Sequence, residues 1–429
     1  MIMNNQGKNV MTLIMERVAA YPKGLGFLDA LFRGRKKDVL NRTPFILFGA
    51  GSGGKGLCLT LRVHGLEPMF FCDNDSSKHG NMCCAIPIIS FDELARHHRK
   101  AIVVIASPKH RVAMYQQLLE SGFRSEDIMC KPFDRLVPLV FMYSDYFGTQ
   151  AVLSNYKTQG HPLSVTDYLK ENQELLAKAY ELLGDQHSRN LFIDKYALMA
   201  SEDNFQIFCD FITSYSQPIL DYGLTFFDWT TEDYYYFSND IFSLSPDEVY
   251  VDVGAYDGDT VHTFIEACRR NNIDYRWIYA YEPDPDCYRA LLTNTAEYQR
   301  LTCYQLGVWS QSGVVRFRTS KQSVHDQAGS IDPGGDIEIR VVALDEHLPA
   351  QRISLMKMDP GGDVIPRALL GAAEIIGRYR PKLAVGAYHS LRSLFEIPLL
   401  VHQLCPRYEL FLRHNTTHLC DTDLLARPL

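Results

Sequence analysis

Hydrophobic positions change their period several times along this chain. Between residues 9 and 40 they recur at helical spacing, which predicts one or two amphipathic helices broken near Pro22-Lys23-Gly24. From Pro44 the pattern switches to short, unbroken apolar runs. Residues 45–48, 69–72, 101–106 and 127–129 read as strands, and 91–97 and 111–120 as helices, with a further helix after Gly49-Ala50-Gly51-Ser52-Gly53-Gly54. Strands alternating with helices predict a parallel α/β sheet. This smaller Rossmann-like domain is placed at 43–133, behind a helical extension at 1–42.

Residues 134–241 lose that rhythm and read as a helical connector. Tyr168, Leu175, Leu176, Ala179, Leu182 and Leu183 keep helical spacing, and 204–215 is also helical in pattern. The aromatic stretch 222–242, with Tyr234-Tyr235-Tyr236, reads as packing between the flanking domains. From Asp247 strands and helices alternate again. Strands are expected at 249–253, 277–282, 303–308, 353–359 and 382–388, and a hairpin at 408–413 and 418–424 closes the chain. Extra strands are expected at 314–319 and 338–344, and helices at 259–269, 284–293, 366–377 and 393–404. The expectation for 242–429 is therefore an α/β domain built on a seven-stranded, mostly parallel sheet.

Composition narrows the function classes. The formal net charge of −8 argues against a broad basic surface, so nucleic acid is not an expected partner. The 11 cysteines are an odd number and include no CxxC pair, which suits reduced thiols in a cytoplasmic protein rather than a zinc clamp. Residues 1–15 lack the features of a signal peptide, and the longest apolar runs are strand-sized, so no membrane span is expected. Arg33-Gly34-Arg35-Lys36-Lys37 reads as a solvated helix end. His414 and His418 flank Asn415-Thr416-Thr417, a hairpin turn, and no metal site is expected there.

The chemistry is concentrated after the strand 249–253. Asp252-Val253-Gly254-Ala255-Tyr256-Asp257-Gly258-Asp259-Thr260 is a strand end, a tight glycine turn and a helix start. Gly254 and Gly258 let the backbone approach a ligand. The helix start turns N–H groups toward a ligand carboxylate, and Asp252 stands where an ammonium group would be held. Glu282-Pro283 ends the next strand, where a carboxylate can accept both hydroxyls of a ribose. Together these residues suit S-adenosylmethionine (SAM). A nicotinamide is disfavoured here, because the middle glycine of GxGxxG is missing after Asp252.

Beyond that core, ordered motifs run from about Tyr236 to Ala426. They include Phe237-Ser238, Ala343-Leu344-Asp345-Glu346, Leu355-Met356-Lys357-Met358-Asp359, Ala368-Leu369-Leu370-Gly371-Ala372, Pro381-Lys382-Leu383-Ala384, Tyr388-His389 and Tyr408-Glu409-Leu410-Phe411-Leu412-Arg413-His414. With the turn and Glu282-Pro283, this half resembles the FkbM family of methyltransferases. The resemblance implies a class I Rossmann-like methyltransferase domain that moves a methyl group from SAM to a hydroxyl of a sugar, glycan precursor or related small molecule. Asp359 and His389, at successive strand ends, are the candidates for taking the acceptor proton, and Lys357 for orienting the acceptor or neutralising Asp359. One departure stands out: the family reads Lys-x-Asp-x-Glu-Gly, and here Gly361 replaces the glutamate, with Asp363 nearby. That substitution motivates an alternative, a SAM-binding or interaction module without turnover. A homo-oligomer is compatible with either reading.

The N-terminal turn has its own chemistry. Gly49, Gly51 and Gly54 satisfy GxGxxG between a strand and a helix, and Asp73 ends the next strand. The segment looks like the small Rossmann-type domains that precede sugar-modifying enzymes, which implies a bound nucleotide or nucleotide-sugar. A nicotinamide-dependent sugar-nucleotide oxidoreductase is a further alternative. It lacks the Tyr-x-x-x-Lys of short-chain dehydrogenases, since Tyr115 is followed four residues on by Leu119.

Overall fold

The computed structural model describes residues 9–21, 26–134, 136–149, 164–201, 204–215, 236–237, 239–319, 329–348, 350–361, 364–414 and 422–429. The chain forms two compact units. The first is Met1–Arg17 with Thr158–Ala197 and Asp228–Leu429, and the second is Val18–Lys157 with Leu198–Phe227. The 134–241 stretch therefore contributes to both. They are called below the C-terminal and the N-terminal unit.

The N-terminal unit is built on β1 (Phe45–Phe48), β2 (Phe70–Cys72), β3 (Met82–Cys83), β4 (Ile86–Ile89), β5 (Ile102–Ile105) and β6 (Ile128–Met129), in the order β3-β4-β2-β1-β5-β6. All neighbours pair in parallel except β3 with β4. Every residue of β1 and β5 is buried, which is why these strands read as unbroken apolar runs rather than alternating ones. The β3–β4 hairpin has no glycine signal: Cys84 (φ 50°) and Ala85 (φ 60°) make its turn in the left-handed region. The helix Val137–Thr149 packs on Ser52–Val63, where Thr60 Oγ1 donates to the Ser144 carbonyl at 3.1 Å. Tyr143 gathers Phe27, Phe205 and Phe208 with ring centroids 5.0–5.2 Å apart.

The C-terminal unit carries a seven-stranded sheet of β7 (Val249–Val253), β8 (Trp277–Tyr281), β9 (Leu301–Tyr304), β14 (Leu355–Met358), β15 (Lys382–Gly386), β16 (Tyr408–His414) and β17 (Thr422–Pro428). The order is β16-β17-β15-β14-β7-β8-β9, and only β17 runs against the rest. This is the expected class I arrangement. The strand expected at 303–308 is instead two. β9 ends at Tyr304, and β10 (Gly307–Val308) joins a separate sheet with β11 (Gly313–Arg318), β12 (Ser330–Ile331) and β13 (Ile337–Val342). Phe317, Ile339 and Val341 give that small sheet a core of its own. The helix expected at 366–377 breaks into Ile365–Leu370 and Ala373–Tyr379, and the last strand is described over Thr422–Pro428, its expected start at 418 lying outside the described residues.

The aromatic stretch 222–242 lies mostly outside the described residues. Within it, Phe237 packs on Tyr250 and Phe264, which stack at 4.7 Å. A helix the sequence did not signal, Gln186–Ala200, lies in this unit up to Ala197. Its Leu191, Phe192, Ile193, Tyr196 and Ala197 are buried in near succession, so no single apolar stripe announces it. Among the described residues no helix is long and apolar enough to cross a membrane.

Candidate functional site

The turn after β7 is built from left-handed residues. Gly254 (φ 78°), Tyr256 (φ 47°) and Gly258 (φ 94°) alternate with ordinary ones. A Cβ on Gly254 would stand 2.7 Å from the Asp359 carbonyl oxygen, and one on Gly258 2.7 Å from Thr295 Cγ2. Glycine is required at both on conformation and on space. Tyr256 holds a state that costs about 1–3 kcal/mol for a residue with a Cβ, the kind of outlier found at ligand clamps. The turn is anchored on β8: the N–H groups of Gly254 and Ala255 both donate to the Tyr281 carbonyl at 3.0 Å.

Glu282 follows β8 and is buried. Its Oε2 accepts the Tyr256 N–H at 2.9 Å, and its Oε1 accepts the Asp284 N–H at 2.8 Å. Pro283 lies between the two acids, and Asp284 caps the helix Pro285–Asn294. Burial pushes the Glu282 carboxyl up to about 7, against the pull of those two N–H groups. Each carboxylate oxygen keeps a lone pair for a further donor.

Asp252 lies near the end of β7, as expected. It is fully enclosed; Oδ2 accepts from Thr260 Oγ1, and Oδ1 lies 3.3 Å from Lys357 Nζ. The expected carboxylate contact at the helix start is likewise taken up. Asp257 Oδ1 accepts the Asp259 N–H at 3.3 Å, and Asp259 Oδ1 accepts the Thr260 N–H at 2.6 Å. What this turn presents is therefore acidic. Lys357 is buried on β14 and donates to the Gly254 carbonyl at 2.9 Å. Burial opposes its charge, but Asp252, Asp359 and Asp259 outweigh that and hold the ammonium above the ordinary lysine value.

Two strand ends supply a second cluster. Asp359 follows β14, and His389 stands three residues beyond β15. His389 Nε2 and Asp359 Oδ1 are 2.7 Å apart, while Tyr388 Oη donates to Asp359 Oδ2 at 2.8 Å. A Cβ on Gly386 would overlap the Asp359 carboxylate. Burial acts to raise Asp359, but its bond to His389, the charge of His389, Lys357 and the Tyr388 hydroxyl together hold it below its ordinary value. Whenever the imidazole is neutral, an ionised Asp359 accepting from Nε2 keeps the ring proton on that nitrogen. Nδ1, which has no hydrogen-bond partner among the described residues, is then the basic one. Tyr388 was not expected as a site residue; its place beside His389 was the available signal. Glu282, Gly254, Asp359 and His389 thus follow one another along the carboxyl edge of β8, β7, β14 and β15. Gly361 sits in the loop after Asp359, while Gly362 and Asp363 lie outside the described residues.

The N-terminal turn repeats the first pattern. Asp73, after β2, accepts the Ala50 N–H on Oδ2 at 2.8 Å and the Asp75 N–H on Oδ1 at 2.9 Å. Gly54 lies against the Gly49 carbonyl, where a Cβ would overlap, and Gly51 faces open space. Lys78 Nζ also reaches Asp73 Oδ2, at 3.0 Å. Burial acts to raise Asp73, but those N–H groups and the Lys78 ammonium hold it below its ordinary value. Lys78 was missed in the sequence. Among the described residues no group of three or more His, Cys, Asp or Glu is arranged to hold a metal ion. His414 is buried, with Nδ1 3.0 Å from Thr422 Oγ1, and His418 lies outside the described residues.

No protein-family model matches this chain, and no curated protein matches by sequence. Solved structures do match. The crystal structure of methyltransferase FkbM from Methylobacillus flagellatus superposes with a TM-score of 0.57 at 17% identity, covering 97% of this chain and 99% of that one. The SAH-bound Podospora anserina methyltransferase PaMTH1 (TM-score 0.25, 9% identity, 42% of this chain and 72% of that one) is too distant to carry an argument. So is the citrinin polyketide synthase CMeT domain (TM-score 0.27, 9% identity, 99% and 97%). Over nearly its whole length, this chain has the fold of the Methylobacillus FkbM methyltransferase.

Proposed function

We propose that the C-terminal unit is a SAM-dependent methyltransferase that methylates a hydroxyl, on a sugar, glycan precursor or related small molecule. The observation that carries this reading is one sheet edge holding both a glycine turn with Glu282 beside it and the His389–Asp359 pair. The residues present fit the cofactor. Glu282 has acceptor capacity left for ribose hydroxyls, Gly254 and Gly258 let the turn adopt its left-handed path close against Asp359 and Thr295, and Asp257 and Asp259 make the turn acidic, which suits a cationic ligand. Bound SAM supplies a methyl group already activated on a sulfonium.

The protein's own part is binding, orientation and proton transfer. Lys357 holds the Gly254 carbonyl and so joins the turn to β14. His389 Nδ1 takes the acceptor hydroxyl proton, and Asp359 stabilises the imidazolium that results. Positioned general bases contribute about 10²–10⁴-fold. A base on His389 supports turnover despite Gly361, over the alternative of a binding module. The test is methyl transfer from labelled SAM to a panel of sugars and sugar nucleotides, with His389→Ala alongside. The variant is expected to bind SAM normally and to lose about 100-fold or more in rate. Full activity without His389 would remove it from the reaction.

For the N-terminal crevice we propose a nucleotide or nucleotide-sugar at Gly49, Gly51, Gly54 and Asp73. The open space at Gly51 favours it. Lys78 on Asp73 weighs against a ribose bound there as in nicotinamide enzymes, and titration with NADH beside a sugar nucleotide separates the two.

A further inference from the structure

His389 stands in a loop, and an imidazole that must keep one orientation needs that loop braced. The chain runs Ala387-Tyr388-His389-Ser390-Leu391-Arg392 between β15 and the helix Ser393–Leu404. At one end the Ala387 N–H donates to the Thr422 carbonyl at 2.8 Å. At the other, the Ser390 N–H donates to Ser393 Oγ and the Ser393 N–H to the Ser390 carbonyl, both at 3.1 Å. Between them the Leu391 carbonyl accepts from Tyr196 Oη at 2.9 Å.

Tyr196 comes from a distant part of the sequence, the helix Gln186–Ala200. It is fully buried, with Phe192 edge-to-face at 4.9 Å. Burial pushes its hydroxyl well above the ordinary tyrosine value, so it remains a donor wherever the protein is folded. The helix is itself fixed to the sheet. The Gly184 N–H donates to the Leu410 carbonyl at 2.7 Å, and the Leu412 N–H to Ser188 Oγ at 2.9 Å. Arg413 pairs with Asp185 at 2.8 Å. The helix is thus tied to β16 near its start and to the His389 loop near its end.

We propose that Tyr196 is a positioning residue for His389, its hydroxyl fixing the 387–392 loop so that the imidazole stays on Asp359. This rests on the reading of His389 as the proton acceptor. The Tyr196 hydroxyl bonds to the Leu391 carbonyl rather than to Asp359 or the glycine turn, so its effect on His389 runs through the loop. Tyr196→Phe keeps the ring and removes the donor. The experiment follows ¹⁵N-histidine signals, assigned with His389→Ala, together with amide hydrogen exchange over 388–392 and titration with SAH.

The expected result for Tyr196→Phe is SAH affinity within about twofold of wild type, loop exchange about tenfold faster and a weakened His389 Nε2–H signal, since the loss is one buried hydrogen bond. Unchanged exchange and an unchanged His389 signal in a folded variant overturn the assignment, whatever SAH does. Wild-type protein that fails to bind SAH sinks the underlying methyltransferase reading instead. Wild type also gives a check that needs no variant: the Tyr196 hydroxyl proton should exchange slowly, and rapid exchange would overturn the proposal.

Discussion

The two glycine turns of this chain share one construction but give its acid different partners. In each, a parallel strand runs into a turn, and the acid ending the next strand reaches back to a turn N–H. Asp73 takes Ala50 and Glu282 takes Tyr256, and each also accepts the N–H two residues after itself. The difference lies in what completes the acid. Asp73 has Lys78 at 3.0 Å and is held below the ordinary carboxyl value. Glu282 receives no direct ammonium contact among the described residues and is pushed up to about 7. One carboxylate has an ammonium partner within the fold; the other has only backbone N–H partners among the described residues. The shared turn therefore says little about binding, and the partner of the acid says more.

The largest expected effect separates the glycines. Gly254→Ala puts a Cβ into the Asp359 backbone at a left-handed position, and is expected to cost about 2–4 kcal/mol in urea unfolding and to abolish SAM binding. Gly51→Ala, facing open space with φ −94°, is expected to change stability by no more than about 0.5 kcal/mol. Equal tolerance at the two positions would contradict the backbone constraint read at Gly254.

A smaller effect is expected from pH. With ribose hydroxyls donating to an ionised Glu282, as proposed above, SAM affinity should rise as pH passes through about 7, by about tenfold between pH ~6 and pH ~8. Glu282→Gln should flatten that profile. The same carboxyl works oppositely on the ligand-free fold. Its folded value lies above its ordinary 4.5, so the native state binds the extra proton, and its contribution to stability is lost as pH climbs from 4.5 through about 7. Calorimetric titration and thermal melts across that window check both signs.

Much of this was legible from residues alone. The seven-stranded sheet followed from apolar runs alternating with helices, and the glycine turn with Glu282 from the positions of Gly254 and Gly258. What was not legible depended on contacts between distant segments. The helix Gln186–Ala200 is apolar on too many sides to show a stripe, and its role comes from Ser188 and Tyr196 meeting strands and loops far along the chain. The contacts of Asp252 with Thr260 and Lys357, eight and 105 residues along the chain, were likewise not legible. The β3–β4 turn hides because Cys84 and Ala85 adopt a conformation that sequence assigns to glycine or asparagine.

The most direct measurement is calorimetric titration of SAM into wild type, Glu282→Ala and Asp73→Ala. Binding by wild type and by Asp73→Ala, weakened in Glu282→Ala by about 10- to 150-fold for the loss of hydrogen bonds to a charged group, is the predicted result. Binding lost with Asp73 and kept without Glu282, or absent from folded wild-type protein, would contradict the account.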